Sequence, residues 1–152
     1  MDQNLQTALT YWESKLAGRK MPARRDFDPV IEVPTLLPWV ILVDVFHDPL
    51  NFRYRLIGAG VRDRSRQNYS GKLFSELSHV GPDSNNWKQR AEVVKTGAPL
   101  MCEPPYVGGS PGVDRVVVIH LPLSEDDQVV NMIFTVTSYH SSHERAEPAW
   151  KF

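Results

Sequence analysis

The chain has 152 residues, 41% of them hydrophobic, and a formal net charge of −1 at pH 7. This length and apolar content are typical of one domain with a buried core, and the balanced charge gives no electrostatic basis for binding nucleic acid. The single cysteine, Cys102, excludes an intramolecular disulfide and a multi-cysteine zinc site.

The N-terminal stretch MDQNLQTALTYWESK lacks the basic start and apolar centre of a secretory signal. No part of the sequence approaches the run of about 18 apolar residues that a transmembrane helix requires. We therefore expect a cytoplasmic protein without a membrane partner, and the scarcity of cysteine agrees with a reducing compartment.

The first element is predicted to be an amphipathic helix from about Asn4 to Ala17 that ends at Gly18. Apolar residues recur at steps of four, three and four and therefore share one helical face: Leu5, Leu9, Trp12 and Leu16. Two interpretations remain open. The face packs on the body of its own domain, or it forms the helix–helix seam of a homodimer, which a narrow stripe suits.

The segment from Arg19 to Arg25 is strongly basic, and acidic residues follow it at once. Because the charges are few and no aromatic residue lies between them, we interpret the segment as a solvated linker. The alternative is a surface for an anionic partner, formed by Arg19, Lys20, Arg24 and Arg25.

The sequence from Trp39 to Leu56 predicts a β-hairpin. An apolar run ends at Phe46, turn-forming residues follow, and the second strand alternates apolar residues with arginines. Because side chains alternate between the two faces of a strand, one set should face the helices: Phe52, Tyr54 and Leu56. Arg53 and Arg55 then face outward, where Asp44 would pair with them.

The remaining elements are short helices, a longer helix over about residues 85–96, and three strands over about residues 100–107, 114–123 and 128–139. This order predicts an α+β fold, with five strands in one antiparallel sheet, helices on one side, and the N-terminal helix at its flank. We expect three regions: the helix and basic linker (1–25), the main domain (26–140) and a polar tail (141–152).

A set of short motifs, spread in register from Tyr11 to Tyr139, resembles the PAS domain, and in particular short bacterial proteins consisting of little else. The motifs are Tyr11-Trp12, Gly18-Arg19, Met21-Pro22 with Arg24, Asp28-Pro29, Pro34, Leu36-Leu37-Pro38, Leu42-Val43-Asp44-Val45, Phe52-Arg53-Tyr54-Arg55-Leu56-Ile57-Gly58, Ser70-Gly71-Lys72, Leu121-Pro122-Leu123-Ser124 and Val130-Asn131-Met132-Ile133. The resemblance implies a cytoplasmic sensory or protein-interaction module that often dimerises and lacks catalytic activity. No effector domain fits in the rest of the chain, so its output would pass through a signalling partner.

Cofactors of PAS domains can be tested against the sequence. A flavin photoreceptor of this class needs a reactive cysteine in an Asn-Cys-Arg context, whereas Cys102 lies in Met-Cys-Glu-Pro without cationic neighbours. A haem sensor needs a histidine on or beside the longer helix, where His79 is the sole candidate. His140 and His143 lack a third ligand for a metal. We predict no metal site, and the identity of any cofactor stays open.

A small, mostly apolar ligand would lie between sheet and helices, in contact with few polar groups. The residues predicted to contact it are Tyr54, Trp87, Tyr106, His120 and Met132. A core filled by side chains alone, with His120 hydrogen-bonded inside it, is the alternative. A small cavity enzyme, an isomerase or hydrolase, would use Asp44 as base and His120 as its partner, which requires both side chains on one face of the sheet.

Overall fold

The computed structural model describes residues 2–65, 67–104 and 111–141, and the sheet is its central element. The strands are β1 (Val40–Phe46), β2 (Asn51–Ile57), β3 (Leu100–Cys102), β4 (Arg115–Leu123) and β5 (Met132–His140). Their order across the sheet is β2-β1-β5-β4-β3, and every neighbouring pair is antiparallel. The predicted α+β fold is therefore confirmed.

In the part of the chain that the structure describes, four α-helices connect and flank these strands: α1 (Gln3–Ser14), α2 (Pro29–Glu32), α3 (Ala59–Asp63) and α4 (Asn85–Thr96). Short 3-10 turns fill the connections at Arg24–Asp26, Pro34–Trp39, Phe74–Glu76 and Ser78–Val80. The α4 helix has the predicted bounds, with Ser84 as its N-cap and Gly97 ending it in the left-handed conformation, where glycine is preferred. Among the described residues, no helix is both long and apolar enough to cross a membrane.

The sheet has an inner face, covered by α4 and the segment between β2 and α4, and an outer face, partly covered by α1. The α1 helix lies over β4 and β5. Leu5 and Trp12 are buried there, and the indole of Trp12 donates a hydrogen bond to the Pro122 carbonyl at 2.8 Å. Leu9 and Leu16 pack on the same core with part of their surface exposed. The stripe predicted for a homodimer seam thus contacts the chain's own sheet.

The start of α1 is joined to the end of β5. The Asp2 carboxylate accepts hydrogen bonds from the backbone of Asn4 and Leu5, which caps the helix. The same carboxylate accepts a bond from the Ser138 hydroxyl at 2.6 Å and lies 3.1 Å from Nε2 of His140. The start of the helix and the end of the strand are therefore fixed to each other.

The basic segment after α1 is packed on the fold, which differs from the solvated linker expected. Met21 and Ala23 are buried, and the backbone N–H groups of Lys20 and Met21 donate to Asp127. Arg19 donates to the Ser124 carbonyl at 2.6 Å. Arg24 and Arg25 remain exposed, although each bonds within the chain, to the Phe27 carbonyl and the Glu125 carboxylate respectively.

A β-bulge in β2 changes the faces predicted for this strand. Leu42 pairs with Leu56 but Val43 pairs with Tyr54, so Arg55 is an extra residue in β2. Tyr54 faces inward as predicted. The prediction for Leu56 is wrong: beyond the bulge the alternation is inverted, so Leu56 lies on the outer face with 43% of its surface exposed and Ile57 faces inward.

Candidate functional site

A cavity of about 350 Å³ lies between the inner face of the sheet and the segment that follows β2. Its wall on the sheet side contains apolar residues from three strands: Ile41, Ile57, Val116 and Val118. Val61 and Val80 close it from the helical side, and its polar lining includes Tyr54, Asn86 and Thr137. Further polar side chains line it away from the sheet, among them Arg64, Ser65, Ser78 and His79. A cavity of this size is typical of small-molecule sites.

An aromatic stack forms one side of this cavity. The ring of Tyr69 stacks on Tyr54 with 6.1 Å between centroids and on His79 with 4.5 Å. Tyr69 is held there because the adjoining segment runs along the edge of β2, where Tyr54 bonds through its backbone to Gly71 and Lys72. Burial lowers the pKa of His79, which favours the neutral imidazole.

Arg90 is the largest polar side chain in the interior, with 2% of its surface exposed. Its guanidinium lies over the ring of Phe74 and donates long hydrogen bonds of 3.4 Å to the Asn86 carbonyl and the Thr135 hydroxyl. Nε of Arg90 has no hydrogen-bond partner among the described residues. Burial lowers the pKa of this arginine, because desolvation disfavours its charged form.

His120 is a hydrogen-bonded core histidine. Its Nδ1 lies 2.8 Å from the Thr135 hydroxyl and its Nε2 lies 3.1 Å from the Gln89 side-chain oxygen. Burial, and then the nearby charge of Arg90, hold the pKa of His120 well below its ordinary value. The neutral ring therefore links β4, β5 and α4, and it does not line the cavity.

The other residues predicted to contact a ligand are placed differently. Tyr54 lines the cavity. Trp87 packs edge-on against Phe52 at 5.0 Å and does not line the cavity. Met132 lies opposite Asp44 on the outer face, so its prediction as a cavity residue is wrong. Tyr106 lies outside the described residues.

The outer face of β1 carries Asp44, whose carboxylate lies 3.0 Å from Nη2 of Arg53 and 3.5 Å from Nη1 of Arg55. Arg53 is the cross-strand partner of Asp44, and Arg55, the extra residue of the bulge, contacts the same carboxylate. Asp44 and His120 are consequently on opposite faces of the sheet. The catalytic pair required by the enzyme alternative does not exist in this fold, and Asp44 is a structural ion-pair residue.

Cys102 is at the end of the edge strand β3 and is partly buried. Burial raises the pKa of its thiol to about 11, against a smaller opposing effect of the Arg90 charge. The thiol is thus protonated at neutral pH and a poor nucleophile. Within residues 2–65, 67–104 and 111–141, no three His, Cys, Asp or Glu side chains are grouped closely enough to hold a metal ion.

Sequence patterns missed most of this site. The spacing of Trp87, Ala91 and Val94 indicates a buried face of α4 next to position 90, but nothing in the sequence shows that an arginine there is enclosed. Tyr69 belongs to a segment without a strong period, so its contacts arise only from the folded chain. The one available signal for Arg90 was a cation in the middle of an otherwise apolar helical face.

Replacing Arg90 by methionine is expected to stabilise the protein. A buried cation without a carboxylate partner costs free energy, and an apolar side chain of similar length removes that cost, raising the free energy of unfolding by about 1–3 kcal/mol. Thr135 keeps its bond to His120 in this variant. Urea denaturation of Arg90→Met and of the exposed control Arg62→Met measures the effect, and a loss of stability in Arg90→Met alone would contradict it.

Similarity to known proteins identifies the family of the chain. The solved PAS domain of BvgS from Bordetella pertussis is similar to this chain, with 20% sequence identity and a TM-score of 0.43. The match covers 85% of this chain and 97% of that one. A search of curated proteins gives no match. The family model described as "PAS domain" matches residues 1–134, and the chain therefore belongs to the PAS domain family.

Proposed function

We propose that this PAS domain senses a small molecule held in the cavity between its sheet and its helices, and passes the signal to a partner protein. Membership of the family supports a sensory or interaction module in general. The observation that carries the ligand proposal is the cavity of about 350 Å³, whose lining joins strands β1, β2, β4 and β5 to α3 and the first turn of α4.

The position of the cavity suits a signalling role. Its lining includes Val118 of β4 and Thr137 of β5, and these two strands support α1 on the other face of the sheet. A ligand that moves these strands would change the surface that α1 rests on. Coupling from cavity to α1 therefore needs only the packed sheet between them.

Homodimerisation stays part of the proposal, although Leu5 and Trp12 are already buried on the chain's own sheet. Partly exposed apolar residues remain at Leu9 on α1 and at Leu16 just after it. A dimer formed through this helix would therefore use its outer flank and not the full predicted stripe. An unidentified signalling protein is the other partner that we propose.

Native mass spectrometry of the purified chain tests the ligand proposal. We expect a mass above that of the polypeptide, which returns to the bare value on denaturation. Val118 is buried and lines the cavity, so Val118→Phe should fill the space and abolish the added mass. Val129→Phe makes the same change on an exposed loop and should retain it.

The proposal fails if the native mass is that of the bare chain and a panel of small apolar compounds leaves the melting temperature unchanged. It also fails if Val118→Phe, shown by circular dichroism to be folded, retains the added mass. An absorbance spectrum of the same sample identifies haem or flavin directly.

A further inference from the structure

We propose, building on the ligand-binding function above, that the cavity takes a small amphipathic monocarboxylate and that Arg64 pairs with its negative charge. The first support is the unequal polarity of the two walls. The sheet supplies mainly apolar side chains, among them Ile57, Val116 and Val118. The segment between β2 and the first turn of α4 supplies mainly polar ones: Arg64, Ser65, Tyr69, Ser78, His79 and Asn86. A ligand with one apolar and one polar side satisfies both walls.

The second support is the charge of the lining. Arg64 carries the one fixed charge among the described residues around the cavity, and no Asp or Glu is among them. Burial raises the pKa of Tyr54 to about 12, so its phenol stays protonated near neutral pH. The lowered pKa of His79 favours its neutral ring. The described lining is therefore positive overall, which complements an anion.

The third support is that the Arg64 side chain is already held in place. Its guanidinium lies over the ring of Trp39, 5.0 Å from the centroid, and over that of Tyr139 at 5.7 Å. Nη1 donates to the Gly60 carbonyl at 3.1 Å. Arginine is suited to stacking on aromatic rings while its planar fork bonds a carboxylate. Because these contacts exist before binding, a ligand would cost little further side-chain freedom.

The position of Arg64 indicates which end of the ligand carries the charge. Arg64 and Tyr139 also line a second pocket of about 280 Å³, whose lining includes Asn4, Ser138 and His140. The two residues therefore lie where the cavity meets a polar part of the domain. A carboxylate bound there stays among polar groups while the body of the ligand is enclosed by the sheet, which limits the cost of desolvating the charge.

The single cation narrows the class of anion. A carboxylate carries one negative charge and forms two parallel charge-assisted hydrogen bonds with a guanidinium. A phosphate monoester carries about 1.5–2 negative charges at pH 7, and the described lining has no second cation to balance the excess. A ring or short chain with one carboxylate and a hydroxyl substituent matches the charge, the apolar wall and the polar wall.

Isothermal titration calorimetry with two pairs of probes tests the inference. The pairs are 6-hydroxy-2-naphthoate with its amide and 4-hydroxyphenylacetate with its amide, so the members of each pair share shape and differ in charge. The wild-type chain should bind the acid of at least one pair tenfold or more tightly than the amide. Arg64→Gln should bind acid and amide with similar affinity. Arg64→Lys keeps the charge without the fork and should retain a smaller preference.

Arg62→Gln is the matched control, because Arg62 precedes Arg64 by two positions, is exposed and does not line the cavity. It should keep the wild-type preference. Circular dichroism confirms that each variant is folded. If Arg64→Gln does not fold, the comparison passes to Arg64→Lys, whose full wild-type preference would overturn the bidentate pairing.

The outcomes separate this inference from the function on which it rests. Equal binding of acid and amide by the wild type overturns the anionic ligand and leaves the cavity as a binding site. An undiminished preference in folded Arg64→Gln overturns the role of Arg64. Tighter binding of 2-naphthyl phosphate than of the naphthoate overturns the monocarboxylate class. Binding of none of the acids overturns that class too, and the native mass measurement then decides the proposed function separately.

Discussion

Alanine at position 58 should remove most of the stability of the domain, lowering the free energy of unfolding by about 3 kcal/mol or more. A Cβ on Gly58 would lie 2.1 Å from the carbonyl oxygen of Leu37 and 2.6 Å from the carbonyl carbon of Pro38. These obstacles are backbone atoms, so no side-chain rotation can relieve the overlap, and α3 must move away from the Pro34–Trp39 turn.

Gly81→Ala is the matched control for this substitution. Both glycines have φ near −65°, with values of −63° at Gly58 and −65° at Gly81. A Cβ on Gly81 would meet its nearest neighbour, the Leu77 carbonyl oxygen, at 3.4 Å, so its stability should change by less than about 0.5 kcal/mol. Urea denaturation followed by circular dichroism measures both variants.

Gly58→Ala should also impair the cavity. Val61 and Arg64, which line it, follow Gly58 directly in and after α3. Displacement of α3 opens this wall, so Gly58→Ala should also lose any bound molecule detected by native mass spectrometry. Stability of Gly58→Ala within 1 kcal/mol of the wild type would show that the Pro34–Trp39 turn is not held against Gly58.

Trp12→Ala should lower the free energy of unfolding by about 3–5 kcal/mol. Trp12 is 4% exposed, and its indole bonds to the Pro122 carbonyl at 2.8 Å, so truncation leaves both a cavity and an unpaired carbonyl at the interface of α1 with the sheet. Glu13 is exposed on the same helix, and Glu13→Ala should have almost no effect.

The melting temperature of Trp12→Ala, measured at several protein concentrations, gives a second test. If Trp12 stabilises a single chain, the difference in melting temperature between Trp12→Ala and the wild type is constant across protein concentration. A difference that grows with concentration would show that the stripe on α1 is a seam between two chains, because only association carries that dependence.

The elements most readily predicted were those with a local physical cause. The turn from His47 to Asn51 and the glycine after α4 determine their own conformations, so the hairpin and the end of α4 follow from short stretches of sequence. Glycine at positions 58 and 60, just after β2, favours either a close backbone approach or a positive φ. The structure shows that approach, against Leu37 and Pro38 for the first and Trp39 for the second.

The faces of β5 were harder to assign, for a reason specific to this fold. Both faces of the strand are covered, by α1 and Phe27 on the outside and by α4 on the inside. The more apolar face, with Phe134 and Val136, packs outward, while Thr135 and Thr137 face α4 and the cavity. An apolar pattern identifies the core only where the other face meets water. Met132 belongs to the more apolar face, and that face packs outward, so the prediction that Met132 contacts a ligand was wrong.

The site was the least predictable part of the molecule. Tyr54 was identified because alternation fixed its face up to the bulge, whereas the bulge itself depends on pairing between strands and has no signature in β2 alone. Arg90 was missed because its enclosure depends on Phe74 and Thr135, which lie in two segments distant from α4 in the sequence. A charged residue that conflicts with its surroundings is typical of functional positions.

The bond between the start of α1 and the end of β5 has a practical consequence for protein engineering. The side chains of Asp2 and His140 meet at 3.1 Å although 138 positions separate them in the chain. A segment cut at these two residues has adjacent ends. It can therefore be inserted into a surface loop of a host enzyme without forcing the two sides of that loop apart. In such a chimaera, any ligand that shifts α1 relative to β5 would change the spacing of the host's attachment points and so control its activity.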